Sequence, residues 1–224
     1  MNKVSMIYVI NLERSPDRKE RIINQFQKYN VTKYEFFKAV EPTIEDLNKY
    51  PNFSLQKTPN VRRNELGCLL SHINIMKDAI EKKFEHIIIF EDDVKILDSE
   101  FITNTEKHMN ELNGDFDVLY LGANHKYRAK SKFNHHIYLT NGGSNCTFGY
   151  AISERFMKKM IIPCDYKFPI DMHWRKRFIN KRYPILFYCI IPHLVNVFNF
   201  DSCIQDITNP NKNIKSQQIL CSGF

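Results

Sequence analysis

No run of eighteen apolar residues occurs in this 224-residue chain, so a membrane-spanning helix is excluded. The apolar stretch at residues 4–10 is too short for a secretory signal and has no small-residue cleavage site, which makes a cytoplasmic protein the expectation. No Cys-x-x-Cys spacing links Cys68, Cys146, Cys164, Cys189, Cys203 and Cys221, an argument against a zinc site or a thioredoxin-like pair. Several of these cysteines sit in the apolar context of buried thiols kept reduced. No internal repeat or low-complexity tract is present, and no domain boundary stands out.

What remains is a chain 43% hydrophobic, long enough for one sizeable core and short for two. One domain over residues 1–224 is expected. The net charge of +7 suits an anionic partner, whether nucleic acid, membrane surface or nucleotide diphosphate. The basic residues are dispersed. Their densest cluster, Trp174-Arg175-Lys176-Arg177 with Lys181-Arg182, is explained by a solvated helix face, so no nucleic-acid partner is expected.

Residues 4–10 read as a buried strand, and Ser15-Pro16-Asp17 as the cap and first turn of a helix whose apolar face is Ile22, Ile23, Phe26 and Tyr29. A second strand is expected at 34–40. A long irregular connection follows at 41–63, containing Pro42, Pro51 and Pro59. Leu66, Leu69, Leu70, Ile73, Met76 and Ile80 recur at helical spacing in a helix opening at Asn64 or Glu65 and running to Phe84. Residues 86–90 are too apolar for anything but a central strand, and 117–122 form a fourth, after a helix marked by Phe101, Thr105, His108, Met109 and Leu112. Strands alternating with helices indicate an α/β sheet with parallel crossovers. The second half reads as mixed α+β, with strands at 137–140, 147–152 and 185–191, helices at 155–161 and 171–179, and a polar tail at 209–224.

The central strand ends in Glu91-Asp92-Asp93, and in open α/β sheets ligands bind beyond the carboxyl ends of the strands. A hard divalent cation held there by one or two carboxylates neutralises a diphosphate whose charge grows as a bond to it breaks. Asp93 is the first candidate ligand, with Glu91 acting through water, while Asp92 faces a sugar or fixes the loop. The plain alternative is that acids simply end the strand. Asn11, Arg14 and Arg18 offer donors around the first helix N-terminus, although Asn11 also suits a turn and Arg18 a surface. Ser71 and His72 fall on the polar edge of the long helix, where a lone histidine is more often structural.

Four blocks then resemble glycosyltransferase family 25: Ile7-Tyr8-Val9-Ile10-Asn11-Leu12 with Arg14 and Asp17-Arg18; Phe37-Lys38-Ala39-Val40; Glu65-Leu66-Gly67-Cys68-Leu69-Leu70-Ser71-His72; and Ile88-Ile89-Phe90-Glu91-Asp92-Asp93-Val94. Tyr120-Leu121-Gly122, the block from Thr147 through Gly149 to Ile152, Pro169-Ile170-Asp171 and Pro192-His193-Leu194-Val195 fit as well. The resemblance implies a GT-A fold, with a Rossmann-like nucleotide-sugar half at 1–122 and a mixed α+β acceptor half at 123–208. It implies transfer of galactose or glucose from a UDP-sugar, with inversion, to a hydroxyl of a glycan or of hydroxylysine in a collagen-like protein.

It places Asn11, Leu12, Arg14, Arg18, Ala39, Ser71, His72, Glu91 and Asp92 at the nucleotide sugar. Mn2+, or Mg2+, would sit on Asp93 with Glu91 and His193. Asp171 is the expected base and Asp201 the second choice, a helix cap being the competing role for Asp171. Near the C-terminus the family's Ser-Asp-Ile is replaced by Asp201-Ser202-Cys203-Ile204, which keeps open a sugar-nucleotide-binding protein that transfers poorly or not at all.

Overall fold

The computed structural model describes residues 2–123, 131–140, 144, 146–178 and 185–198. Its frame is an eight-stranded sheet in the order β2-β1-β3-β8-β5-β9-β7-β6. β1 (Met6–Asn11), β2 (Tyr34–Lys38) and β3 (His86–Glu91) are parallel neighbours. Past β3 the pattern changes, because β8 (Gly149–Ser153) inserts antiparallel between β3 and β5 (Val118–Gly122). The four strands expected from the first half therefore share one direction, but only three of them are contiguous. β9 (Phe187–Ile190) pairs parallel to β5, and β7 (Ile137–Leu139) and β6 (Ser131–Lys132) finish the edge. This is the expected α/β fold, with a parallel half and a mixed half.

The alternation of side chains splits the core in two. From β3, Ile87 and Ile89 pack with Tyr8, Tyr150 and Tyr120 on one face, covered by α2 (Pro59–Glu81), α4 (Glu154–Met160) and α5 (Ile170–Phe178). Ile88 and Phe90 pack with Val9, Leu119 and Leu121 on the other, under α1 (Pro16–Lys28) and α3 (Phe101–Glu111). A strand sandwiched between helices has no polar face, which is why residues 87–90 are uninterruptedly apolar. Trp174 is wholly buried against Tyr150, Phe156 and Phe187, so the tryptophan of the basic cluster is structural. Among the described residues no helix is long and apolar enough to cross a membrane.

α2 begins at Pro59, five residues before the expected start. Thr58 accepts the Val61 N–H at the cap, and Pro59 occupies the first turn, where its missing N–H costs nothing. The proline is a helix start rather than a loop marker. The connection before it is correspondingly shorter and contains a 3-10 turn at Glu45–Lys49.

A second small sheet joins the halves. β4 (Val94–Ile96) pairs antiparallel with β10 (Val195–Val197), so the chain leaving the acidic triplet is clasped by a strand from the far end of the described fold. The clasp lies so close to β5 that a Cβ on Gly122 would stand 2.2 Å from the Val195 carbonyl oxygen and 2.6 Å from the Phe148 ring. Gly122→Ala is expected to lower stability by about 1–3 kcal/mol, the range for an overpacked core. Urea unfolding checks it through a lower midpoint at unchanged slope, and a midpoint at or above that of the native chain would contradict this packing.

Candidate functional site

Because β1, β2 and β3 run in parallel and in register, their carboxyl ends open on one edge, with Ile10 opposite Glu91 and Asn11 opposite Lys38. A cleft of about 460 Å³ lies there. Ile10, Leu12, Arg14 and Arg18 form one wall, residues 39–44 and the α2 residues Arg63, Asn64, Gly67, Cys68 and Ser71 the other, and Glu91, Asp92 and Asp93 complete the lining. α2 approaches closely because position 67 is glycine. A Cβ there would meet the Val40 carbonyl oxygen at 2.5 Å and Pro42 Cδ at 3.0 Å.

The three acids occupy three different environments. Asp92 is buried and neutralised: Arg18 Nη1 donates to one of its oxygens at 2.9 Å and Asn11 Nδ2 to the other at 2.8 Å. Of the two roles open to it, Asp92 takes that of fixing the loop. Asn11 and Arg18, expected at the nucleotide, hold this carboxylate, and Asn11 also donates to the Ser15 carbonyl at 3.2 Å.

Glu91 is shielded differently. Burial works against its charge, but the neighbouring His72 imidazole, a 2.8 Å hydrogen bond from Thr147 Oγ1 and the charge of Arg18 together hold its carboxyl below the usual range. Asp93 has less help, from Arg18 and its own backbone N–H alone. Its Oδ1 is shut from solvent without a hydrogen-bond partner. Burial first, then the charges of Glu91 and Asp92, push its carboxyl up to about 7, against the pull of Arg18. A carboxylate oxygen shut from solvent without a donor is chemically suited to a hard divalent ion, so the residues present fit one.

The remaining candidates divide. Leu12 and Ala39 line the cleft, and Arg14 lines it while paired with Glu41 at the opposite wall. Ser71 lines it too, but its hydroxyl donates to the Gly67 carbonyl at 2.7 Å and accepts the Val40 N–H at 2.8 Å, so it builds the wall. Ser71 and His72 are not on a polar helix edge: both are fully buried beneath the sheet's acidic end. Asp171 is not among the lining residues. Burial raises it to about 6; the Met172 N–H and Arg175 oppose the shift, while the charges of Glu65 and Glu91 add to it. Its Oδ1 accepts the N–H of the next residue, Met172, at 2.7 Å, which is not the cap geometry that competes with a chemical role.

His193 precedes β10. The chain reaches Asp93 only at Phe198, whose N–H donates to the Asp93 carbonyl at 2.8 Å, so the register does not bring His193 to the acid. Burial lowers its pKa. Asp201 lies outside the described residues. Two contributors escaped the sequence reading: Thr147, which bonds Glu91, and Tyr150, whose hydroxyl meets His72 Nδ1 at 2.7 Å. Both lie in the aromatic and small-residue block after Cys146, but nothing local in that block points to partners on α2 and β3.

A cleft at the carboxyl ends of parallel strands, with Arg14 and Arg18 on one wall and the acidic triplet completing its lining, lies where α/β folds place their ligands. The sequence profile described as "Glycosyltransferase family 25 (LPS biosynthesis protein)" matches residues 4–174, and the chain belongs to that family. A putative glycosyltransferase of Haemophilus influenzae is 32% identical over 162 residues, covering 69% of this chain and 56% of its own length. A procollagen lysyl hydroxylase and glycosyltransferase of Acanthamoeba polyphaga mimivirus is 31% identical, covering 88% of this chain and 26% of its own. Procollagen galactosyltransferase 2 of Mus musculus is 25% identical, covering 74% and 29%. The chain thus spans just over half of the bacterial relative and little more than a quarter of the other two.

The state of Asp93 has a consequence for stability. Its folded pKa of about 7 lies above the ordinary carboxylate value near 4, so the folded state binds the proton more tightly. The stabilisation from that proton is present below about pH 4 and lost as the pH rises through about 7. Asp93→Asn does not titrate and removes the repulsion from Glu91 and Asp92. In chelator-treated buffer at pH 8 the variant is expected to melt several degrees above the native chain, at about 2–4 °C per kcal/mol, with the difference closing as the pH falls. A variant less stable at pH 8 would contradict the unpaired, buried carboxylate.

Proposed function

We propose that the chain is a glycosyltransferase domain that moves a hexose, galactose or glucose, from a UDP-sugar to an acceptor hydroxyl with inversion at the anomeric carbon. The carrying observation is the orphaned Oδ1 of Asp93 at the end of β3. In this reading Asp93 holds Mn2+ or Mg2+, which supplies charge neutralisation to the departing diphosphate. Leu12, Ala39 and the wall fixed by Ser71 and Gly67 shape the space for the nucleotide. Arg18, by neutralising Asp92, keeps the loop in place without adding a second bare charge beside the phosphates.

Inversion by one in-line displacement needs a base on the acceptor side. Asp171, raised to about 6 chiefly by burial with a smaller push from Glu65 and Glu91, has a pKa near the working range of such a base. The acceptor classes follow from the family: a glycan, as its description as an LPS biosynthesis protein suggests, or hydroxylysine of a collagen-like protein, as the names of the viral and mouse relatives suggest. The altered Asp201-Ser202-Cys203-Ile204 segment supports a second reading, a domain that binds the donor but turns over weakly.

The test is release of UDP from UDP-galactose and UDP-glucose with Mn2+, in the presence of glycan and hydroxylysine acceptors. The native chain is expected to turn over, Asp93→Ala to abolish it, and Asp171→Asn to lower kcat by about 10²–10⁴-fold, the usual weight of a general base. Donor binding without turnover on any acceptor would favour the binding domain. Turnover unaffected by Asp93→Ala would remove the metal from the reading.

A further inference from the structure

We propose that Cys68, His72 and Glu91 form a binding site for a thiophilic divalent cation of the zinc class, one that leaves Asp93 out of its shell and takes for itself the Glu91 carboxylate expected beside Asp93's ion. Cys68 and His72 are four residues apart on α2 and so project from the same helix face. Glu91, the last residue of β3, meets them from the sheet. One donor atom from each, the Cys68 sulfur, a His72 ring nitrogen and a Glu91 carboxylate oxygen, lie within 4.8 Å of one another. In tetrahedral zinc sites, bonds of about 2.0–2.3 Å set donor atoms roughly 3–4 Å apart, so small side-chain adjustments close the triangle.

The independent sign of a ligand is His72 Nε2. The residue is 0% exposed, its Nε2 has no hydrogen-bond partner, and the nearest acidic oxygen, Glu91 Oε1, is 3.5 Å away. A buried ring nitrogen left unsatisfied is a cost to the fold, and a metal ion removes that cost. The other ring nitrogen is already engaged: Nδ1 lies 2.7 Å from the Tyr150 hydroxyl, and the two rings stack at 5.7 Å between centroids. That is the outer-sphere partner a ligating histidine ordinarily has, and Thr147 Oγ1 supports the Glu91 carboxylate in the same way.

The donor set decides the class of ion. Thiolate and imidazole select zinc over manganese or magnesium, which prefer all-oxygen shells. On binding, the metal–sulfur bond replaces the S–H bond of Cys68 and one proton passes to solvent. Three protein ligands leave a fourth position. Since Cys68 and Glu91 border the cleft, that position opens towards it, and the ion would also tie α2 to the end of β3 beneath the cleft.

Titration of the metal-free chain with Co2+ tests the site, because a cobalt–thiolate bond gives a near-ultraviolet charge-transfer band that oxygen and nitrogen ligands do not. A single equivalent is expected to produce the band and Zn2+ to displace it. Cys68→Ser is expected to abolish it, Asp93→Asn and Cys146→Ser to leave it, and Tyr150→Phe to weaken binding about tenfold, as loss of an outer-sphere partner does. No band, or a band that survives Cys68→Ser, overturns the proposal. In the unsubstituted chain, where folding is not in question, Zn2+ is expected to block iodoacetamide alkylation of Cys68, located by peptide mass spectrometry. Unchanged labelling overturns it too. None of these readouts requires turnover or a sugar nucleotide, so their outcome is separate from that of the transferase reading.

Discussion

Arg18 and Asn11 close on the two oxygens of Asp92, and that contact fixes the loop that carries Asp93. The three residues come from the start of α1, the end of β1 and the loop after β3. A buried ion pair rarely adds much stability over apolar packing, since desolvation offsets most of the attraction. Its value here is positional. With both Asp92 oxygens committed to Arg18 and Asn11, the loop is held in place, and Asp93 is the acid of the triplet that brings a carboxylate oxygen without a hydrogen-bond partner.

The same logic extends to the far half of the fold. β10 clasps β4 directly after the triplet, and Phe198 donates to the Asp93 carbonyl. The backbone of Asp93 is therefore pinned from behind by the second half while its side chain stays unpaired. Gly122 permits the clasp, and Gly149 does the same from β8, where a Cβ would stand 2.7 Å from Val195 Cγ2. Small residues at these positions are what let the mixed half press against the parallel one, so the acidic loop is held between two halves, and the one charge without a partner sits on a rigid support.

The sequence made most of the architecture legible because its strong signals are local. Residues 87–90 can only be a buried strand, and the α2 stripe of Leu66, Leu69, Ile73 and Met76 can only face a core. Where the reading slipped, the deciding contact was distant or ambiguous in one dimension. Pro59 starts a helix or breaks one depending on the residue before it. The insertion of β8 between β3 and β5 depends on pairing between segments some sixty residues apart, which no window of periodicity contains. In the site, the strand-end position of the acids was readable, but their separate fates were not. Glu91 depends on Thr147, and Asp92 on Arg18. Cys68 and His72 show a further limit: a search for Cys-x-x-Cys passes over a pair one helical turn apart whose third partner lies on a strand.

The contrast among the three neighbouring acids is the strongest argument that this edge is a site and not merely the end of a strand. If Glu91, Asp92 and Asp93 served only to stop β3 and cap a turn, the cheapest arrangement would leave all three in water. Instead Asp92 is buried with full compensation, Glu91 is partly compensated, and Asp93 carries a shut-off oxygen without a hydrogen-bond partner, its charge opposed by burial and by two neighbouring acids. A carboxylate oxygen shut from solvent without a hydrogen-bond partner is a local cost, and such costs collect at functional sites. The charge balance is thus the most specific feature of the cleft: the carboxylate oxygen of the triplet that is shut from solvent without a hydrogen-bond partner belongs to Asp93, just past the end of β3.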